Sequence, residues 1–357
     1  MRAGGVIKVL VVEDSPTMRE LLTHVLESDS AIKVVKSVSD GEEAVAAVSR
    51  WRPDVVTMDV HMPKMNGFDA TRRIMSTQPV PIVIVSGTLT DQVSATFRAI
   101  ESGALAFVRR PPGPGHLDHE AAAAELVQMV KLMSEVKVVR RWLTHGKPGT
   151  ARAVYGAGAG IAPADVKLVA IGASTGGPAV LQMILSMLPG GLCAPVLIVQ
   201  HIAPGFVAGL AEWLNQTCGL PVQVGADGVR PLPGHVYIAP EGTHMGIGSG
   251  GRIALSDAPP EHGLRPSVSH LFRSVATGLG PNAIGILLTG MGKDGAAELK
   301  LMKDRGAVTI AQDEQSSVIH GMPGEAIRLD AATHVLAPDE IASVLTSLAE
   351  SDPEHDL

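Results

Sequence analysis

Three residues that together could provide a serine nucleophile and its base occur in the second half of the sequence. Ser174 lies in Gly172–Gly176, with the G-x-S-x-G spacing in which glycines permit a tight turn from a strand into a helix. His201 and Asp294 each come just after a predicted strand. Because the carboxyl ends of parallel strands open onto one crevice, all three side chains could meet there. The pattern therefore indicates a candidate serine-dependent active site.

Each of these residues also has an ordinary structural explanation. Ser174 could simply cap the following helix, and Asp294 followed by Gly295 could be a turn and a helix cap. A dinucleotide-binding loop is less favoured, because Ser174 stands where that motif needs its second glycine. In the chain order of the α/β-hydrolases, the acid precedes the histidine, and His320 would then be the base. The glycine-flanked serine alone does not decide between these alternatives.

A second group of polar residues lies at strand ends in the first third of the chain. Glu13 and Asp14 follow the first predicted strand, Asp59 follows the third, Ser86 ends the fourth and Arg110 follows the fifth. Carboxylates brought together at one sheet edge repel one another, and a hard cation such as Mg²⁺ relieves that repulsion. Such a cation could also neutralise a phosphoryl group that is transferred to a carboxylate. Solvent-exposed strand ends would explain any one of these residues, but their coincidence favours a binding site.

Short apolar runs that alternate with helical patterns must position both groups. Continuous runs of Val and Ile are typical of parallel strands that helices cover on both faces. The clearest predicted strands are Ile7–Val12, Lys33–Val38, Val55–Met58, Ile82–Val85 and Ala104–Val108 in the first part, and Lys167–Ile171, Pro195–Val199, Ala283–Leu288 and Ala307–Ala311 in the second. We therefore predict an α/β protein with a flavodoxin-like N-terminal domain and a doubly wound, mainly parallel C-terminal domain. Gly219–Ser256, dense in Gly and Pro, is predicted to be an antiparallel excursion or edge hairpin.

Composition shifts along the chain predict three parts. The first domain covers residues 1–125, a helical and Ala/Gly-rich linker covers 126–164, and the second domain covers 165–357. The linker is predicted from a helical pattern at Asp118–Leu143 and from Thr150–Ala164, which is rich in Ala and Gly and lacks periodicity.

Overall composition excludes several classes of protein. The net charge of −7 argues against a general nucleic-acid binder and against a basic membrane-surface anchor. Cys193 and Cys218 are the two cysteines, and their spacing gives no sign of a metal site or a disulfide framework. No apolar run reaches the roughly 18–20 residues that span a bilayer, and no signal peptide is visible. We therefore expect a cytoplasmic protein without direct membrane insertion.

The first third resembles the receiver domains of two-component response regulators. The motifs that carry the resemblance are Val-Val-Glu-Asp-Ser-Pro at 11–16, Met-Asp-Val-His-Met-Pro at 58–63 and Val-Ser-Gly at 85–87. It implies that Asp59 accepts a phosphoryl group and that Glu13, Asp14 and Asp59 bind Mg²⁺. It also implies that Ser86 and Arg110 take part in the switch. Arg110 is a departure, because the family usually has Lys directly before the proline that follows the fifth strand.

Residues 167–350 are similar to the catalytic domain of the chemotaxis protein-glutamate methylesterases. The matching stretches are Gly172–Pro178, Gln200-His201, Arg265–Val268, Thr289–Gly295, Ala311–Glu314 and Ser316–Val318. The resemblance implies that Ser174 is the nucleophile, that His201 is the general base and that Asp294 orients His201. It places the main-chain N–H of Met291 in the oxyanion hole. Ser269 is a departure, since the family often has Asp at that position.

The combined resemblance implies an enzyme of bacterial chemosensory adaptation. Its substrates would be γ-glutamyl methyl esters on the cytoplasmic helices of chemoreceptors, with methanol released, and it would also deamidate receptor glutamines. The receiver would cover the active site until a chemotaxis histidine kinase supplies a phosphoryl group for Asp59. No cofactor is implied for the esterase and no nucleic acid as a partner. The alternatives are a non-catalytic, receiver-linked binding module and a transcriptional regulator, although the C-terminal half shows neither a helix-turn-helix pattern nor a basic face.

Overall fold

The chain divides into two compact units, Met1–Val154 and Tyr155–Leu357. The computed structural model describes residues 5–87, 97, 101–136 and 166–347. Within those ranges, no helix is both long and apolar enough to cross a lipid bilayer.

The first unit contains a five-stranded parallel sheet with the order β2-β1-β3-β4-β5. Its strands are β1 (Ile7–Val12), β2 (Ile32–Val38), β3 (Val55–Met58), β4 (Ile82–Ser86) and β5 (Ala106–Arg109). This order is that of the flavodoxin-like fold, so the predicted fold class is confirmed. The chain changes direction across the sheet between β1 and β3, and the carboxyl ends of these two strands therefore border the ligand crevice.

Local capping fixes where the helices of the first unit begin. Helices α1 (Pro16–Glu27), α2 (Gly41–Trp51) and α3 (Gly67–Thr77) start directly after Ser15, Asp40 and Asn66. Each capping side chain accepts a hydrogen bond from a main-chain N–H of the first turn. The sequence also has a helical pattern at Gln92–Ser102, which predicts a helix between β4 and β5, but most of that range lies outside the described residues.

Helix α4 (His119–Met133) belongs to the first unit. It packs against β5 and α1, and Leu126, Val130 and Met133 on its inner face are fully buried. The predicted domain boundary at residue 125 therefore falls inside a helix whose apolar face packs against the first sheet. The rest of the predicted linker falls largely on residues 137–165, which the structure does not describe, and its limits stay a prediction.

The second unit contains a seven-stranded parallel sheet with the order β14-β13-β12-β6-β7-β9-β8. The strands are β6 (Leu168–Ala173), β7 (Val196–Gln200), β8 (Val222–Val224), β9 (Val236–Ile238), β12 (Ala283–Leu287), β13 (Val308–Gln312) and β14 (His334–Leu336). The sheet grows outward on both sides of β6, so the carboxyl ends of β6 and β12 form its switch point. The predicted doubly wound, mainly parallel architecture is confirmed.

The prediction for Gly219–Ser256 is only half right. Strands β10 (His244–Ile247) and β11 (Ile253–Ser256) do form an antiparallel hairpin, which is separate from the main sheet. Strands β8 and β9, however, are parallel and extend the main sheet, with β9 paired to β7. Three-residue strands between Gly- and Pro-rich connections resemble hairpin arms in sequence, but β9 is buried and its register follows the parallel core.

Helices cover both faces of the second sheet. They are α5 (Gly177–Ser186), α6 (Val207–Thr217), α7 (Val268–Gly278), α8 (Ala296–Asp304), α9 (Met322–Arg328) and α10 (Pro338–Thr346), with 3-10 turns at Ser249–Gly251 and Gly280–Asn282. Helices α7, α8 and α9 contact one another in series, and α5 contacts both α6 and α10. The hairpin β10–β11 packs through β10 on α7. That contact places the start of β10 beside Ser267, at the N-terminus of α7.

Candidate functional sites

Ser174 stands in a tight turn at the carboxyl end of β6. Its main-chain N–H donates to Thr289 O at 3.0 Å, and its carbonyl accepts from Gly177 N at 2.8 Å. Gly176 has a φ of +80°, and a Cβ there would come within 2.6 Å of the Val318 side chain, so only glycine fits. Gly176 is also the N-cap residue of α5. The alternative in which Ser174 merely caps the helix is therefore wrong, and its side chain is half-buried at the sheet edge.

The loop that follows β12 approaches Ser174 closely. A Cβ at Gly290 would lie 2.5 Å from the Ser174 Cβ and 2.5 Å from the Met322 Sδ. Glycine at this position lets the main chain of the loop run directly beside the serine. Met291, the next residue, has a side chain that is 40% exposed. Its main chain therefore belongs to the segment that borders Ser174, although its part in an oxyanion hole stays a prediction.

His201 and Asp294, which lie 93 positions apart in the chain, form a buried pair. His201 Nε2 is 2.9 Å from Asp294 Oδ2, and the two side chains are 9% and 2% exposed. The carboxylate can only accept, so Nε2 carries the proton in this pair. Nδ1 is consequently the ring nitrogen that remains for a further partner.

Asp294 accepts four hydrogen bonds, three from the N-terminus of α7 and one from His201. Its Oδ1 accepts from Ser267 Oγ at 2.8 Å and from Ser269 N at 3.0 Å, and its Oδ2 accepts from Val268 N at 2.7 Å beside His201. Burial alone would raise the pKa of Asp294. The hydrogen bond and the positive charge of His201 lower it, and so do the hydrogen bonds of Ser269 and Ser267. Together they outweigh burial and hold the pKa of Asp294 well below its usual range. The carboxylate is therefore ionised and rigidly held.

Two buried glutamines connect the strand ends and were not singled out from the sequence as positioning residues. Gln200 Nε2 donates to Ser174 O and to His201 O, both at 2.8 Å, and so joins the serine turn to the histidine. Gln312 Oε1 accepts from Thr289 N at 2.8 Å and fixes the strand end whose carbonyl binds Ser174. Both glutamines end a buried apolar strand, and that sequence signal could have identified them.

Ser269 is fully buried and links the site to a carboxylate. Its hydroxyl donates to Glu298 Oε2 at 2.6 Å and accepts from Gly295 N at 3.0 Å. Arg273 Nη2 in turn lies 3.1 Å from Glu298 Oε1. This chain has Ser269 where the family often has Asp, and the turn around Asp294 is nevertheless fully connected by hydrogen bonds.

His320, the alternative base, also lies near Ser174. It forms an isolated parallel bridge with Gly290, and its Nδ1 is 3.3 Å from Ser317 Oγ. Burial lowers the pKa of His320. Because His201 is the imidazole that holds Asp294, the geometry supports the order Ser–His–Asp rather than the order of the α/β-hydrolases.

In the first unit, three carboxylates converge at the switch point of the sheet. Glu13, Asp14 and Asp59 each offer an oxygen, and these oxygens lie within 4.8 Å of one another. Asp59 follows β3, its N–H donates to Val12 O at 2.9 Å, and the residue is 5% exposed. Such a group of hard oxygen ligands could hold a metal ion.

Arg110 points into this acidic group rather than to solvent. Its Nη2 lies 2.7 Å from Asp59 Oδ1 and 3.2 Å from Glu13 Oε2. Its main-chain N–H donates to Ser86 O at 2.8 Å, which ties the ends of β4 and β5 together. Ser86 itself is buried, and its Oγ lies 3.3 Å from Gly87 O. The structure thus brings together the residues that the sequence placed at these strand ends.

The electrostatics of the acidic group suit a divalent cation. Burial, followed by the negative charge of Asp59, raises the pKa of Glu13 to about 7, and burial raises the pKa of Asp59 as well. The Arg110 guanidinium pairs with two of these three carboxylates, Glu13 and Asp59. The ion pair between Arg110 and Glu13 Oε2 lacks hydrogen-bond geometry, so this buried oxygen receives no hydrogen bond from any residue within the described ranges. A bound cation would favour the ionised form of both carboxyl groups and so oppose both shifts.

We expect the first unit to lose stability as the pH rises from about 5 to about 8 without a divalent cation. The pKa of Glu13 is about 7 in the folded chain, against a reference value of 4.5. Stability that is fully present below the reference pKa is therefore lost as the pH rises through 7, and the loss is on the order of a few kcal/mol. Hydrogen exchange of the β1 amides at pH 5.5 and pH 8 measures it.

Two comparisons test that expectation. Glu13→Gln should flatten the pH dependence, whereas Glu20→Gln, at an exposed position of α1, should leave it unchanged. Millimolar Mg²⁺ at pH 8 should restore protection in the wild type. Equal pH dependence in wild type and Glu13→Gln would contradict the argument.

Comparison with known proteins gives a family match for each of the two units. Residues 169–345 match the CheB methylesterase family, and residues 9–122 match the response regulator receiver domain. The chain is 55% identical to protein-glutamate methylesterase/protein-glutamine glutaminase 4 of Geobacter metallireducens, across 96% of this chain and 99% of that protein. It is 53% identical to the protein-glutamate methylesterase/protein-glutamine glutaminase of Nitrosospira multiformis, across 98% and 99%.

A solved structure gives the same result for the second unit. The crystal structure of the Thermotoga maritima CheB methylesterase catalytic domain matches with a TM-score of 0.50 and 38% identity, over 51% of this chain and 98% of that chain. The resemblance predicted from sequence motifs is confirmed. The chain belongs to the CheB methylesterase family, in the form that carries a response regulator receiver domain ahead of the methylesterase domain.

Proposed function

We propose that this chain is a phosphorylation-activated protein-glutamate methylesterase that hydrolyses γ-glutamyl methyl esters on chemoreceptors. The observation that carries the proposal is the buried hydrogen bond between His201 and Asp294, with Ser174 in its glycine-lined turn at the same sheet edge. The near full-length similarity to proteins named protein-glutamate methylesterase supports the substrate class.

The geometry suggests how the three residues divide the work. Ser174 Oγ attacks the ester carbonyl while His201 accepts the serine proton at Nδ1, because Asp294 occupies Nε2. Asp294 stays ionised and stabilises the imidazolium that forms. The imidazolium then protonates the leaving methoxide, and methanol departs. Water attacks the acyl-enzyme with His201 again as base, which releases the glutamate and restores the serine.

Main-chain donors are proposed to hold the tetrahedral oxyanion. The N–H of Met291 is the candidate, since the neighbouring Gly290 lets this loop approach Ser174 more closely than any side chain would permit. Deamidation of receptor glutamines would use the same residues. Amide ion is a far poorer leaving group than methoxide, so protonation of the departing nitrogen by His201 matters more in that reaction, and ammonia departs.

Asp59 is the proposed phospho-acceptor of the receiver domain. Glu13, Asp14 and Asp59 would hold Mg²⁺, which when bound neutralises charge on the phosphoryl oxygens. Arg110 and Ser86 would contact the phosphoryl group and pass the change to the domain surface. We propose that the unphosphorylated receiver restrains the methylesterase domain and that phosphorylation releases it.

The proposed partners follow from this function. Chemoreceptor cytoplasmic segments would be the substrate and a chemotaxis histidine kinase the phosphodonor, and both would be met in the cytoplasm. The three-part division also stays a proposal, with its first boundary moved from residue 125 to the end of helix α4 at Met133 and its second boundary kept at residue 164.

Methanol release from methylated chemoreceptor fragments tests the proposal directly. Full-length protein should release methanol, and a small phosphodonor with Mg²⁺ should increase the rate. The increase, together with one phosphoryl adduct by mass spectrometry, should be absent in Asp59→Asn. Binding of the fragments without methanol release, under either condition, would favour the non-catalytic binding module instead.

Arg110 gives a prediction that is particular to this chain. The planar guanidinium can bind a phosphoryl group through two donors, but from a different distance and angle than a lysine ammonium. We expect Asp59 to take phosphate in both Arg110→Lys and Arg110→Ala. Activation should fall about tenfold in Arg110→Ala, which loses hydrogen bonds to charged groups. In Arg110→Lys it should persist at a different level.

The neighbouring arginine provides the control for that experiment. Arg109 pairs with Asp118 at 3.5 Å on the other side of the strand end, so Arg109→Ala should leave activation by phosphodonor intact. Phosphorylation of Asp59 and the fold change in methanol release are measured for each variant. If both quantities kept their wild-type values in Arg110→Ala, the proposed role of Arg110 in the switch would be wrong.

A further inference from the structure

His244 is a fully buried histidine outside the Ser174, His201 and Asp294 group, and both of its ring nitrogens are engaged. It begins strand β10. Nδ1 lies 3.2 Å from Ser267 N, and Nε2 lies 3.1 Å from Pro259 O. A main-chain N–H can only donate and a carbonyl can only accept. The ring therefore carries its proton on Nε2 and presents a lone pair at Nδ1.

A ring on the neighbouring helix α7 stacks on His244 and holds it in place. His270 of α7 stacks on His244 with ring centroids 4.7 Å apart and an interplanar angle of 18°. His270 Nδ1 is 3.4 Å from Glu261 Oε1, and Arg273 makes two hydrogen bonds to the same carboxylate, at 3.0 and 2.7 Å. The position of the Nδ1 lone pair is thus determined by contacts on several sides.

Ser267 passes this constraint to the catalytic carboxylate. Its main-chain N–H is held by His244, and its hydroxyl donates to Asp294 Oδ1 at 2.8 Å. Although Ser267 is the N-cap residue of α7, its side chain makes no capping bond, so its hydroxyl is committed to Asp294. The other oxygen of Asp294 binds His201. Two hydrogen bonds therefore separate His244 from the carboxylate that orients the base.

We infer that His244 is a positioning residue for ester hydrolysis, which acts through Ser267 to set the orientation of Asp294 and hence of His201. Without an acceptor at Nδ1, the Ser267 peptide has a buried N–H without a partner and can rotate to find one. Its hydroxyl then leaves Asp294 Oδ1, and the carboxylate tilts relative to His201. A misplacement of about 1 Å in a catalytic group can cost about a hundredfold in rate.

Two amide variants separate positioning from packing. In His244→Asn, the side-chain oxygen can take the place of Nδ1 and accept from Ser267, while the bond to Pro259 and the ring stack are lost. In His244→Gln, the amide N–H₂ can reach the place of Nε2 and donate to Pro259, while the acceptor for Ser267 is lost. Both variants remove the same ring, so a purely structural role predicts similar losses in the two.

The inference rests on the proposed function, and the assay is methanol release by the full chain with phosphodonor and Mg²⁺. His244→Gln should lower kcat about 10- to 100-fold with little change in KM, whereas His244→Asn should keep most of kcat. Ser267→Ala should resemble His244→Gln, and the double variant should be no worse than either single variant. Equal kcat for Asn and Gln, or additive losses in the double variant, would overturn the inference.

Nitrogen NMR of the wild type provides a test that needs no variant and no activity. His244 should show the tautomer with the proton on Nε2, and the opposite tautomer would overturn the inference even if a variant failed to fold. An inactive wild type would instead contradict the proposed function. A wild type that is active, with Asn and Gln variants of equal kcat, would contradict the role of His244 alone.

Discussion

Ser174→Ala is expected to reduce methanol release by about 10⁴- to 10⁶-fold, because the proposed acyl-enzyme cannot form without the hydroxyl. The fold should survive, since the hydrogen bonds of the turn at Ser174 come from its main chain and the helix cap is Gly176. Initial rates on methylated receptor fragments, with circular dichroism and a thermal melt, measure both consequences.

Ser186, at the far end of the helix α5 that follows Ser174, gives the matched control. Ser186 is exposed and donates to Met183 O at 3.0 Å within α5, so Ser186→Ala should keep the wild-type rate. Binding of receptor fragments should be similar in both variants. A folded Ser174→Ala protein that retained most of its methanol release would sink the assignment of the nucleophile.

Asp294→Asn should lower the rate about 10⁴-fold and also destabilise the second unit. All four groups around the carboxylate donate hydrogen bonds, whereas an amide has only one accepting atom. If the amide N–H₂ faces His201, the ring must accept at Nε2 and carries its proton on Nδ1, toward the serine. If the amide N–H₂ faces the other side, it meets the hydroxyl of Ser267 and the main-chain N–H of Ser269. Either orientation leaves a buried donor unpaired.

The loss of stability has a defined sign with pH. The pKa of Asp294 is held well below its usual range, so its contribution to stability is present above pH of about 4 and is lost as the pH falls through the folded-state pKa. At pH 7 we expect Asp294→Asn to cost about 1–3 kcal/mol of the free energy of unfolding. Asp304→Asn, at an exposed aspartate that pairs with Lys300 on α8, is the control and should change neither rate nor stability appreciably. A stable and active Asp294→Asn would contradict the proposed role of the carboxylate.

The sequence was sufficient to locate these residues because one rule applies to both units. In parallel sheets, the carboxyl ends of the strands meet at one edge, and polar residues such as Asp59 and Ser174 directly after apolar runs can be assigned to that edge. The rule gave the fold class and both candidate sites. It also placed Arg110 beside the carboxylates, where the structure shows its contact with Asp59.

Contacts between elements that the rule does not order could not be predicted. His244 meets Ser267, and Ser267 meets Asp294, only because the hairpin β10–β11 packs on α7, and no local pattern in the sequence specifies that packing. The sequence likewise could not predict that Asp294 binds Nε2 of His201 rather than Nδ1, because this depends on the orientation of the ring. The parallel pairing of β8 and β9 was missed because three-residue strands carry too few residues to show a period.

Asp294 has two roles at once, since the carboxylate that holds His201 also receives the first free N–H groups of helix α7. Opening of that first helical turn would therefore also release His201, the proposed base, from Asp294. At a given temperature, the fraction of active molecules should then equal the fraction in which this first helical turn is closed. On heating, activity should therefore be lost before the sheet unfolds. Deuterium uptake at the amides of Val268 and Ser269 becomes a direct readout of catalytic competence in the resting protein.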